Sequence, residues 1–141
     1  MSYNRFELLI KRAKEFLKGA YFHLKEKDFD IAVFNLEQSL QLYLKAVILK
    51  HTGLYPEVHG VKKLLSYIYV QTKNKESASF TKKFREELED LEEAYINARY
   101  GNVTYSQLKV KELFKVVESC ILIVSKITSV TNVVKEVKKE T

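Results

Sequence analysis

Proline occurs once and glycine four times in 141 residues. So little of the chain is available for turns that a sandwich or barrel of many short strands is excluded. The single cysteine, Cys120, excludes an internal disulfide framework and fits a reducing compartment. The opening residues are polar and carry no apolar leader, and the longest unbroken apolar run is the five residues 120–124. Both features lead us to expect a protein of the cytoplasm with no membrane span. His23, His51 and His59 lack metal-ligand spacing, the glycines form no phosphate loop, and no GxSxG element occurs. No metal site, no required cofactor and no hydrolase chemistry are therefore expected.

What is present is a length sufficient for one core, with 46% apolar and 30% charged residues. The periodicity predicts an all-α fold, an antiparallel up-and-down bundle of four long helices plus one short one. A first amphipathic helix is expected over 3–27, with Phe6, Leu9, Ala13, Leu17 and Ala20 recurring three and four apart. Asp28 reads as the N-cap of a second helix, with Asp30 in its first turn and Gly53 as its left-handed stop. That helix is apolar on most of its circumference and should lie at the centre. The stretch 53–60, which holds the one proline, reads as a loop, 61–72 as the short helix and 73–79 as a polar connection. A fourth helix is expected over 80–99 and ends at Gly101. Thr104 and Gln107 form a capping box for the last helix. Residues 1–130 make the domain, and 131–141 a charged helix end or frayed tail. The stretch 20–46 is locally tetratricopeptide-like, but no copy follows at a period of about 34 residues.

The charge of +6, from 24 Lys and Arg against 18 Asp and Glu, permits an anionic partner without requiring one. By segment it runs +4 (1–27), −2 (28–59), +5 (60–83), −4 (84–99) and +3 (100–141). Such alternation suits packing of opposite-sign helices or an acidic partner as well as nucleic acid.

Gln38, Gln41 and Lys45 lie three and four apart and form a polar stripe on the second helix. The stripe faces either solvent or a groove or interface. Glu92, Tyr95 and Arg99 repeat that spacing on the fourth helix, followed by Tyr100. Arg99 serves either as a dipole partner at its helix end or as a guanidinium aimed with Lys45 at a phosphate. His59 reads as a loop-fixing hydrogen-bonder. Cys120 reads as a small core residue, and Tyr21, Tyr43, Tyr67 and Tyr69 as core or interface.

The run 31–46, with Ala32-Val33-Phe34, Gln38 and Leu44-Lys45-Ala46, resembles the signature helix of HEPN domains (higher eukaryotes and prokaryotes nucleotide-binding). The His59-Gly60 pair before a Leu64-Leu65 helix and the run 95–100 are similar to that family too, over about residues 4–127. The resemblance implies a dimerising helical bundle that partners a minimal nucleotidyltransferase, often as a toxin–antitoxin or stress module. It implies a groove at Gln38, Gln41, Lys45, His59, Tyr95, Arg99 and Tyr100, with ATP or GTP as candidate ligand. Two departures stand out. The acidic residue expected three after Gln38 is Gln41, which can only hydrogen-bond. The ribonuclease pattern of an Arg followed after four to six residues by a His is absent after Arg99. No general acid or base is then evident, so the expectation is a non-catalytic protein. A metal-independent ribonuclease toxin and a generic helical interaction module are the alternatives, and RNA is the less favoured ligand.

Overall fold

The computed structural model describes residues 4–140, so Tyr3, where the periodicity starts the first helix, lies outside the described residues. Among these the chain is all-helical, with seven helices: α1 (Arg5–Lys25), α2 (Phe29–Thr52), α3 (Val61–Thr72), α4 (Lys75–Lys83), α5 (Arg85–Tyr100), α6 (Gln107–Thr128) and α7 (Val133–Glu140). The all-α class holds, and the helix count is higher than the periodicity predicts.

Helix α2 is central. It touches α1, α3, α5 and α6, and Leu36, Leu40, Tyr43, Leu44 and Val47 are buried along it. A helix that is apolar all round must be contacted all round, because no face of it gains from water. Gly53 stops it at φ 76°, a left-handed conformation that costs a residue with a side chain about 1–2 kcal/mol. Asp28 stands at its N-cap position as expected, though its side chain makes no capping bond and lies 3.2 Å from His23 Nδ1 instead. Asp30 accepts from the Tyr105 backbone N–H at 3.1 Å, tying the start of α2 to the segment that leads into α6.

The connection expected over 73–79 is largely helix. Asn74 accepts from Glu76 N–H at 2.8 Å and starts α4. The expected fourth helix is thereby divided at Phe84, whose φ of −108° leaves the helical region. Backbone bonds from Phe84 N to Phe80 O (3.0 Å) and from Leu88 N to Phe84 O (2.9 Å) run across the joint. The two elements meet as a bend, filled by the Phe80 and Phe84 rings 4.8 Å apart. Helix α6 takes its cap from Ser106, which accepts from Lys109 N–H at 3.1 Å, and not from Thr104.

Within the stretch expected as a helix end or frayed tail, residues 133–140 form a separate short helix. Val133, Val134 and Val137 form a buried stripe on α7, which packs on α1 and α6. Lys14 clasps Glu136 (3.0 Å) and Glu140 (3.1 Å), and Lys18 adds Glu140 at 2.6 Å. β-Branched residues are mediocre helix formers, but burial of three valines outweighs a propensity difference of a few tenths of a kcal/mol each. Cys120 is a core residue, and burial pushes its thiol up to about 12. Tyr43 is buried as expected, and Tyr21 donates to Glu118 Oε2 at 2.5 Å. Tyr67 and Tyr69, expected in the core or an interface, are exposed.

Candidate functional site

Three elements converge on a cleft of about 480 Å³: the middle of α2, the start of α3 and the C-terminal half of α5. Glu37, Gln38 and Gln41 come from α2, His59 and Gly60 from the loop end, and Glu92 and Tyr95 from α5. Gly60 sits at φ 99°, and a Cβ there would stand 3.6 Å from the Glu92 carboxyl. The glycine supplies no cap, so Glu92 caps α3 from another helix by accepting from Lys62 N–H at 2.9 Å. Its place on the sequence stripe with Tyr95 and Arg99 does not reveal this work.

Glu37 is the buried polar centre of the cleft, with 1% of its surface exposed. Its carboxylate accepts from Gln38 Nε2 at 2.7 Å and from Gln41 Nε2 at 2.8 Å. Burial lifts its pKa above the ordinary glutamate range, and the nearby Glu92 charge adds to the rise. The two amides and Lys45 pull the other way, with a smaller combined effect. A carboxylate thus stands at 37, one turn before the Gln41 amide. Its i, i+4 relation to Gln41 is the sequence signal that could have found it.

A group whose acid form is favoured by folding loses stabilising value as pH rises. Stability of the native chain relative to its Glu37→Gln variant should fall as pH climbs from the ordinary glutamate range through the raised value. Below that window and above it the difference should be flat. Urea unfolding of both proteins between pH 4 and 7 measures it, and a difference growing in favour of the native chain contradicts the assignment.

Lys45 is buried behind the cleft, 3% exposed, and donates to His59 Nδ1 at 3.0 Å. For the ammonium to donate, Nδ1 must carry no proton, so the His59 proton resides on Nε2. The ammonium also lies 5.4 Å from the centre of the Tyr55 ring, on which the Arg5 guanidinium stacks at 3.8 Å. His59 is thus a loop-fixing hydrogen-bonder, and it lines the cleft as well.

The structure does not bring Lys45 and Arg99 together in one groove. Arg99 lies at the end of α5, donates Nε–H to the Tyr95 carbonyl at 3.1 Å and stacks on Tyr95 at 4.3 Å. It also lies over Tyr100 (4.9 Å) and Phe34 (5.7 Å), and Phe34 stacks on Tyr95 at 6.0 Å. Tyr100 is 74% exposed and does not line the cleft. Of the seven candidate residues, then, Gln38, Gln41, His59 and Tyr95 share the cleft wall. Lys45 supports it from behind, and Arg99 with Tyr100 forms an aromatic–guanidinium cluster past its rim. Among the described residues no three His, Cys, Asp or Glu side chains gather as a metal site. No helix there is long and apolar enough to cross a membrane.

An all-helical chain with a polar cleft against its central helix is the class that fold and site define. The family model for the HEPN domain matches residues 6–128, and the chain belongs to that family. It is a family of nucleotide-binding or RNase-type proteins. No curated protein and no solved structure matches the chain.

Proposed function

We propose that this is a non-catalytic HEPN protein of the cytoplasm, a dimeric partner of a minimal nucleotidyltransferase in a toxin–antitoxin or stress module. In this reading it holds a nucleotide such as ATP or GTP in the cleft between α2, α3 and α5. The observation that carries the reading is Glu37, a carboxylate 1% exposed and held by two glutamine amides at the wall of an otherwise open cleft. Burying a charge without an ion pair on it is costly, and a polar ligand that shares its hydrogen bonds gives a reason to keep it there.

The lining also orients the ligand. Glu37 and Glu92 repel phosphate and accept N–H and O–H donors, which a base edge and ribose hydroxyls provide. The phosphates then lie outward, toward the Arg99 guanidinium beyond Tyr95. Arg99 has no histidine four to six residues on, and its Nε is already engaged by the Tyr95 carbonyl. That leaves no imidazole beside it as general acid or base for RNA cleavage, only the phenols of Tyr95 and Tyr100. Dimerisation draws support from the exposed Tyr95, Ile96, Tyr100 and Val103 at and after the end of α5.

Two measurements on the purified chain test the reading. Incubated with RNA in the presence of a chelator, it should leave the RNA intact, and light scattering should give the mass of two chains. RNA cleavage that disappears in Arg99→Ala would make it a metal-independent ribonuclease. A monomer without nucleotide affinity would make it a plain helical interaction module.

A further inference from the structure

The net charge of the chain is concentrated on the α3–α4 hairpin and the first residue of α5. Residues 60–85 carry seven Lys and Arg against the single carboxylate of Glu76, a balance of +6 that equals the charge of the whole chain. The remaining residues are neutral in sum. Within this segment α3 and α4 pack against each other. Lys62 is paired with Glu89 at 3.6 Å, whereas Lys63, Lys73, Lys75, Lys82 and Arg85 make no ion pair among the described residues. Cations without an ion pair raise the local potential and attract anions.

A second cleft, also of about 480 Å³, lies between the two helices. Its floor is apolar, from Leu65 and Ala78, with the half-exposed ring of Tyr69 on one wall. Lys82 and Arg85 stand on the other wall, and the Ser66 and Thr81 hydroxyls line it. Along α3, Ser66 and Tyr69 face the cleft one turn apart, and the cations that line it, Lys82 and Arg85, come from the end of α4 and the start of α5. A ring and an apolar floor flanked by cations match a flat base next to phosphates, whereas a purely acidic peptide has no use for the stacking surface. The acidic face of α5 (Glu86, Glu89, Asp90, Glu93) adjoins Arg85 and bars a polyanion from that side. A strand must therefore follow the α3–α4 hairpin.

We infer that the α3–α4 hairpin is a binding surface for single-stranded nucleic acid, with one base seated against Tyr69 and the flanking phosphates on Lys82 and Arg85. The surface is separate from the Glu37 cleft and involves no cleavage. A single strand is favoured over a duplex because a paired base cannot enter the cleft.

Fluorescence anisotropy with a labelled oligouridine of about 15 nucleotides, within the range covered by one binding unit, tests this on the full chain. Binding should weaken with salt. The double variant Lys82→Ala/Arg85→Ala should bind at least tenfold more weakly, with a salt slope smaller by about 1.4. Tyr69→Ala should lose about tenfold, and circular dichroism checks that it stays folded. Gln41→Ala, on the other cleft, should bind like the native chain, so failure of the nucleotide reading leaves this result standing. Oligodeoxyuridine of the same length decides the sugar: equal affinity assigns the surface to single strands of either kind, and a preference names one. Absent binding, variants that bind normally, an equally tight duplex or equally effective competition by polyglutamate would each overturn the inference.

Discussion

Leu40→Ala should remove about 2–5 kcal/mol of folding stability, one of the two largest effects expected of a single substitution in this chain. Leu40 is fully buried on α2, which packs against four other helices, so the space left by the lost isopropyl group cannot be closed by moving one neighbour. Lost transfer energy and residual cavity then add. Leu122→Ala is the matched control, because Leu122 on α6 is 44% exposed and its loss should cost no more than about 0.5 kcal/mol. Denaturant unfolding of the two variants measures the contrast. Equal effects would mean that α2 is not the central helix.

Val137→Asp should cost about 3 kcal/mol. Val137 is 1% exposed, in a stripe with Val133 and Val134 that seals α7 onto α1 and α6. A carboxylate there is buried among apolar groups, and the nearby cations Lys14, Lys18 and Lys138 are already engaged by Glu136, Glu140 and Glu118, so the burial penalty is poorly offset. The penalty has a ceiling, since α7 can detach as a unit once losing its valine contacts costs less than burying the charge. Hydrogen exchange separates the outcomes: amides of Val133–Glu140 should lose protection in the variant while those of α2 keep theirs. Unchanged protection of α7 would contradict its docking.

The fate of the C-terminal stretch shows what a one-dimensional pattern conveys. Spacings of three and four exposed α1, α2, α3 and α6, because each carries its apolar stripe over several turns. Helix α7 has only eight residues, five of them charged, and its stripe acquires meaning only from the surface of α1 and α6 that it covers. The division at Phe84 was hidden for a related reason. Backbone hydrogen bonds run through it, so the apolar register of α4 and α5 barely changes across the bend.

At the site, the amide stripe of Gln38 and Gln41 was legible because polar groups interrupt an otherwise apolar helix, Tyr95 from its spacing with Glu92 and Arg99, and His59 from its place at the loop end, and the family resemblance put them in one groove. Glu37 was not legible as a site residue: one acidic residue between Leu36 and Gln38 is ordinary until folding buries it. Glu92 was counted among the charges of α5, and only the tertiary approach permitted by Gly60 makes it the cap of α3. Of the two readings left open for Arg99, a shared groove with Lys45 is not the arrangement found. Lys45 is drawn inward to His59, while Arg99 is held outward by the rings of Tyr95 and Tyr100.

The central claim is that the Glu37 cleft holds a nucleotide, base inward and phosphates toward Arg99. Calorimetric titration of the purified chain with ATP, GTP and the corresponding nucleosides tests it most directly. The account predicts one site per chain for at least one nucleotide. Arg99→Ala should weaken that nucleotide about tenfold and leave its nucleoside unaffected, while the double variant Gln38→Ala/Gln41→Ala should weaken both. No heat with either nucleotide, or binding that survives the glutamine substitutions undiminished, would contradict it.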